Sequence, residues 1–190
     1  MFSPPNTPPS CRRPRLGSMC LEPGFTLIEL IVTIAVMIIL VSIALPSFMG
    51  FIQANRLTAQ TNDLVTVLNY ARSEAIKRGV RVTLCSSNNG TSCLGSTTWD
   101  TGWIAFIDTN GDGLVGGEQI MQVRGALEAD NALRSNIQHL TYRNDGIPDQ
   151  QAVGGDYQFS LCDGVNAVRP IRVNPMGRVA VNPPTTVACP

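Results

Sequence analysis

The sequence predicts an α+β protein in which one long N-terminal helix packs on antiparallel β-sheets. Two patterns indicate this class: an apolar run leads into an amphipathic stretch, and about seven short strand-like segments separated by turn residues follow Gly79. The chain has 190 residues, of which 44% are hydrophobic, and this excludes a mostly disordered protein. Because the formal net charge is zero, the chain as a whole has no general attraction for polyanions.

The first two segments predict a membrane anchor. Residues 1–24 are rich in proline and carry three arginines, so they cannot bury enough apolar surface to fold. Residues 25–45 are predominantly apolar, with Glu29 as their one charged side chain, and are long enough to cross a bilayer. Since the arginines precede this run, the positive-inside rule places the N-terminus in the cytoplasm. An ordinary secretory signal fits less well, because the run is long and ends at Pro46 without a clear cleavage site.

Residues 46–78 continue the helix as an amphipathic stretch with apolar residues at helical spacing. Basic residues in the last turn favour the helix C-terminus, and Gly79 is a natural stop. We therefore expect one helix over residues 25–78, kinked near Pro46. Its apolar stripe should cover the sheet that follows, with a partner-binding stripe as the alternative.

Residues 79–190 form the predicted β-rich domain. Trp99 and Trp103 could stack a ligand, but we expect them in the core. Residues 80–85 alternate apolar and polar side chains as a strand does, and clusters of Gly, Asn, Asp and Pro separate the strand candidates. The candidates are residues 80–85, 103–107, 120–123, 137–143, 157–162, 171–174 and 178–181.

The string GFTLIE at residues 24–29 resembles the class III signal of type IV prepilins and pseudopilins. The resemblance implies that a prepilin peptidase cuts after Gly24 and methylates Phe25. It also implies that Glu29 pairs with the N-terminal amine of a neighbouring subunit during assembly. Such a buried acid and amine would neutralise each other and fix the axial register. Translation is expected to begin at Met1, because a leader starting at Met19 would lack the arginines.

Two further runs, YARSEAIKRG at residues 70–79 and GWIAFID at residues 102–108, resemble the GspH/FimT branch of that family. The resemblance implies a pilin-like fold and a non-enzymatic minor pilin or pseudopilin of a type II secretion or type IV pilus system. Such a subunit sits in the inner membrane and joins a short filament with other pilin subunits. The implied segments are a cleaved leader (1–24), a transmembrane helix (25–45), its amphipathic continuation (46–78) and a periplasmic or extracellular domain (79–190).

Two of the six cysteines lie in the leader, and four remain in the mature chain. Outside the inner membrane the environment is oxidising, so disulfides are expected, and three pairings are possible. The pairing we favour joins Cys85 to Cys93 and Cys162 to Cys189. A zinc site is the alternative, but the cysteine spacing and a single histidine make a poor ligand set.

DNA binding is the second functional hypothesis, because some FimT-like proteins bind DNA. The C-terminal tail contains Arg169, Arg172 and Arg178 without a later acid, and these arginines could contact phosphates. The tetrapeptide GRVA at residues 177–180 keeps the first arginine of the GRxR motif of that branch and has Ala180 in place of the second.

Residues 108–113 imitate the beginning of a calcium-binding loop. Gln119 stands where such a loop needs a bidentate glutamate, and Asn-Gly and Asp-Gly are also strong turn signals. We therefore expect a hairpin loop, with no metal and no cofactor. The chain contains no convincing nucleophile or acid–base pair, so we do not expect an enzyme.

Overall fold

A computed structural model of the chain describes residues 24–128, 131–149, 155–163 and 167–185, without the side chains of Pro46 and Ser47. The predictions for the leader, for its two cysteines and for Cys189 lie outside the described residues. The chain divides into two compact units, of which one ends at Pro46 and the other begins at Ser47. Each unit is described by itself.

Helix α1 spans Leu27–Arg78, so it begins two residues later than predicted. The helix ends before Gly79, whose φ of 68° is not helical. The amides of Gly79 and Val80 both donate to the Ala75 carbonyl. The predicted kink stays a prediction.

In the second unit the buried side chains of α1 recur every three or four residues, which confirms the stripe as core. They are Leu57, Gln60, Thr61, Leu64, Val67, Leu68, Ala71, Glu74 and Ala75.

Eight strands among the described residues form two four-stranded antiparallel sheets. Sheet A has the order β3-β2-β1-β5, and sheet B has the order β4-β6-β7-β8. The strands are β1 Val82–Ser86, β2 Trp103–Ile107, β3 Ile120–Arg124, β4 Ala132–Ser135, β5 His139–Tyr142, β6 Tyr157–Cys162, β7 Val168–Val173 and β8 Val179–Val181.

Two predictions about the strands were wrong. Strand β4 was missed, because Ala, Arg and Ser have low strand propensity and only Leu133 of this strand is buried. Strand β7 begins at Val168 rather than Ile171, although it contains Pro170. The proline is tolerated there, and its carbonyl accepts a hydrogen bond from the Asn182 amide at 2.9 Å.

The main core lies between α1 and the inner faces of both sheets. Trp99 and Trp103 are buried in it, as predicted, and Trp99 packs edge-on against Phe159 with ring centroids 5.2 Å apart. The Trp99 indole N–H donates to the Ile137 carbonyl at 3.3 Å, which satisfies its polar atom. Sheet B has one buried face, because Gln158 and Arg172 on the opposite face are exposed.

A second, smaller cluster covers the opposite face of sheet A. Cys85, Ile104 and Phe106 are buried there, with Cys93, Val115 and Ile120 packed against them. The loops that follow β1 and β2 therefore cover this face. This explains why all five residues of β1 are buried, rather than every second one.

Candidate functional site

The predicted processing site lies at the beginning of α1. Gly24, Phe25 and Thr26 precede the helix, and the Phe25 side chain is 81% exposed. The Thr26 hydroxyl accepts a hydrogen bond from the backbone N–H of Glu29 at 3.3 Å. Thr26 is thus the N-cap, and Glu29 three residues later completes the pattern of a capping box. This role of Thr26 was not predicted, although the T-x-x-E spacing is visible in the sequence.

The apolar half of α1 exposes its side chains on every side. Helix α1 is the one helix among the described residues that is long and apolar enough to cross a membrane, and an 18-residue window of it has a mean hydropathy of 2.9. The hydroxyls of Thr33 and Ser42 donate to the carbonyls of Leu30 and Ile39 at 2.9 and 2.8 Å. These polar groups are therefore satisfied inside the helix, as an apolar surrounding requires.

The three tail arginines do not form one patch. Arg169 pairs with Leu161 on the inner face of sheet B and donates to the Thr58 hydroxyl of α1 at 3.2 Å. Arg172 lies on the outer face, and Arg178 is exposed at the turn before β8. Arg169 is partly buried, whereas Arg172 and Arg178 are exposed, and DNA binding by the three arginines stays a prediction.

The loop between β2 and β3 is built around the buried carboxylate of Asp108. One oxygen accepts a hydrogen bond from the Gly111 amide at 2.6 Å. The other accepts from the Thr83 hydroxyl at 2.7 Å and from the Gly113 amide at 3.1 Å. The predicted hairpin loop over residues 108–119 is confirmed, because β2 and β3 pair antiparallel. Within the described parts of the chain, no group of three His, Cys, Asp or Glu residues could hold a metal ion.

The predicted disulfide between Cys85 and Cys93 is present, with an S–S distance of 1.97 Å. It ties the loop after β1 to the second cluster on sheet A. Cys162 is also disulfide-bonded, but Cys189 lies outside the described residues, so the pairing Cys162–Cys189 stays a prediction.

Burial and local hydrogen bonds shift the pKa of several side chains of the domain. Burial lowers the pKa of His139, against the attraction of Asp108 and Asp112 for its charged form. Burial raises the pKa of Tyr142 above its usual value, and none of the described residues hydrogen-bonds its hydroxyl. The pKa of Asp145 is lowered mainly by a hydrogen bond from the Ile147 amide. These shifts arise from packing and local turns.

A scan of protein families matches residues 60–177 to the family described as Type II transport protein GspH, which is more than half of the chain. The chain belongs to the GspH family. The match begins inside α1 and lies within the second unit, so the GFTLIE string upstream of it is a separate observation. A search of curated protein sequences gives no match.

Crystal structures of the type IV minor pilin FimU from Pseudomonas aeruginosa PAO1 are similar to this GspH-family chain. One crystal form gives a TM-score of 0.55 at 18% identity, over 70% of this chain and 92% of that chain. A second form gives 0.52 at 16% identity, over 66% and 92%. At these identities the likeness shows the fold alone, and it confirms the predicted pilin-like architecture. Pilin and pseudopilin families consist of structural subunits that assemble with other pilin subunits.

Arg72, within the region that matches the GspH family, has a role that sequence reasoning missed. Its Nε donates to the Gly146 carbonyl at 3.0 Å, and its Nη2 donates to the Met176 carbonyl at 3.1 Å. These carbonyls belong to the turns after β5 and after β7, so one side chain of α1 holds a turn from each sheet. Gly177 has φ 76°, and a Cβ there would lie 2.3 Å from the Gly146 carbonyl oxygen. The glycine of the GRVA tetrapeptide is therefore explained by packing.

Proposed function

We propose that this chain is a non-enzymatic minor pilin or pseudopilin that is cut after Gly24, N-methylated at Phe25 and assembled from the inner membrane into a short filament. The observation that carries the proposal is the exposed apolar half of α1, with Glu29 in its first turn, ahead of a GspH-family domain. In this proposal residues 25–45 are the transmembrane segment. The N-terminus is cytoplasmic and the domain lies in the periplasm.

Glu29 supplies the assembly contact in this proposal. A carboxylate inside an apolar helix costs about 2.5–3.5 kcal/mol on insertion scales, so a partner is needed to offset it. Cleavage after Gly24 creates an ammonium at Phe25, close to the membrane edge. Pairing this cation with Glu29 of the neighbouring subunit removes both isolated charges and sets the axial register. In its own chain, Thr26 caps the helix and leaves the Phe25 amine outside it.

Glu29→Ala tests this contact in the full chain. The variant should insert into the membrane as well as wild type, because it removes a charge from the apolar segment. It should not co-isolate with other pilin subunits from filament preparations. Ser42→Ala is the matched control, because it removes a polar group that bonds only its own helix. Wild-type levels of co-isolation for Glu29→Ala would contradict the proposed pairing.

Deletion of the gene for this chain tests which secretion or pilus system it belongs to, because each system carries out a different process. Lost protein export indicates type II secretion, lost twitching indicates a type IV pilus, and lost DNA uptake indicates a competence pilus. The GspH family match and the likeness to FimU support the filament-subunit role common to these systems. An unchanged phenotype in all three assays would contradict a filament role.

DNA binding is the second candidate function, supported by the exposure of Arg172 and Arg178 on the same domain. Changing both to alanine should flatten the salt dependence of DNA binding by about two units, since each phosphate contact contributes about one. Arg169→Ala should leave the slope unchanged, because this side chain bonds α1. A mobility-shift assay at several salt concentrations measures the slope. An equal effect of Arg169→Ala, or no shift at low salt, would remove this candidate.

A further inference from the structure

Strands β3 and β8 are the open edge strands of the two sheets, and β3 is the longer of the two. The chain covers two other edges itself, since Thr98 bridges to β4 and Pro148 bridges to β5. Strand β8 has only three residues, which limits pairing at its edge. Among the described residues β3 pairs with β2 alone, so one side of its backbone has no partner strand.

The sequence of β3 does little to protect this edge. Open edges usually carry lysine, proline or an unpaired charge that blocks another strand. Residues 120–124 contain no lysine or proline, and their single charge, Arg124, forms an ion pair with Asp63 of α1 at 3.1 Å. Val123 is 58% exposed, although valine favours strands and burial. The composition of β3 is therefore that of a strand paired on both sides rather than that of a protected edge strand.

A groove lies beside β3. Its lining comes from β3, from Trp103 of β2 and from α1, and the residues of β3 and α1 are Gln122, Val123, Arg124, Asp63, Thr66 and Val67. The ion pair between Arg124 and Asp63 lies in this lining. Side chains alternate along a strand, so every second residue of an added strand would face this groove. Backbone hydrogen bonds to β3 would supply affinity.

We propose that β3 accepts an extended segment of a different pilin-type subunit as a fifth strand of sheet A. The inference rests on the assembly role proposed above and names the surface that one partner uses. A different subunit is the proposed occupant because members of pilin and pseudopilin families assemble with other pilin subunits.

Site-specific photocrosslinking of the full chain in its own cells tests the proposal. Val123 is replaced by p-benzoylphenylalanine, and Leu114, which is 55% exposed in the loop before β3, receives the same replacement as the matched control. The expected result is an adduct from position 123 but not from 114. The partner should be a different protein that carries its own prepilin signal, crosslinked within an extended segment. Absence of the adduct, an equal adduct from 114, a second copy, or a partner without that signal would overturn the proposal.

Charge variants provide an independent measurement. Val123→Lys should lower co-isolation with that subunit about tenfold, which corresponds to about 1.4 kcal/mol, while Leu114→Lys and the β-branched Val123→Thr should leave it unchanged. Equal losses in all three variants would overturn the role of β3. The mature N-terminus separates the two proposals. A chain never cut at Gly24 contradicts the proposed function, whereas a mature chain that assembles without the position-123 adduct contradicts the β3 inference alone.

Discussion

Asp108 shows how one buried carboxylate determines the loop between β2 and β3. Its oxygens accept hydrogen bonds from Thr83, Gly111 and Gly113. Asp108→Asn replaces one acceptor oxygen by a donor group, which leaves a buried donor unsatisfied, and should cost about 1–3 kcal/mol of unfolding free energy. Asp112→Asn, at an exposed position of the same loop, should stay within about 0.5 kcal/mol of wild type. Denaturant unfolding of the full chain in detergent measures both values, and equal effects would contradict this account of the loop.

Arg72 is the residue that connects α1 to a turn of each sheet. Arg72→Met keeps much of the side-chain volume but removes both hydrogen bonds, so we expect a loss of about 1.5–3 kcal/mol, the range for bonds to charged groups. Arg172→Met is the matched control, because Arg172 is exposed on the outer face of sheet B. Thermal unfolding of both variants measures the difference. Equal stability of the two variants would show that the Arg72 contacts contribute little.

At the scale of the element, the last turn of α1 predicts a pH dependence. Glu74 is buried and ion-paired with Arg78 and Lys77, and mainly the Arg78 hydrogen bond lowers its pKa below the ordinary value of 4.5. A carboxyl whose pKa is lowered by folding stabilises the protein above its unfolded pKa, and this stability is lost as the pH falls through the folded pKa. Wild type should therefore be more stable than Glu74→Gln at pH 7, with the gap closing below pH 4.5. A gap that is independent of pH would contradict this role of Glu74.

The strands show which elements a sequence can predict. Strands β2 and β6 have the predicted bounds, because apolar residues and flanking turn signals mark their ends. Strand β4 has no such signal in its own residues. It is stabilised by its pairing with β6 and by its bridge to Thr98, which form only in the folded domain. The inward direction of Arg169 could have been predicted, because Arg169 shares the two-residue period of Ile171 and Val173.

At the scale of the whole molecule, the sequence predicts the class and the family because their signals are local. The apolar run, the GFTLIE string and the β-rich remainder each lie within one segment of the chain. The Arg72 contacts could not be predicted, since residues 72, 146 and 176 meet only in the folded domain. The assembly partners could not be predicted from this sequence either, because half of the residues at each contact belong to another chain.

The mature N-terminus tests the central claim most directly. Intact mass and N-terminal sequencing of the chain purified from its own membranes should give a protein that begins at N-methylated Phe25. Gly24→Val, in which a side chain hinders the approach of the peptidase, should leave the precursor inserted but uncut. A wild-type chain that keeps its leader, or one that begins near Ser47, would contradict the account and indicate a plain anchor or an ordinary signal peptide.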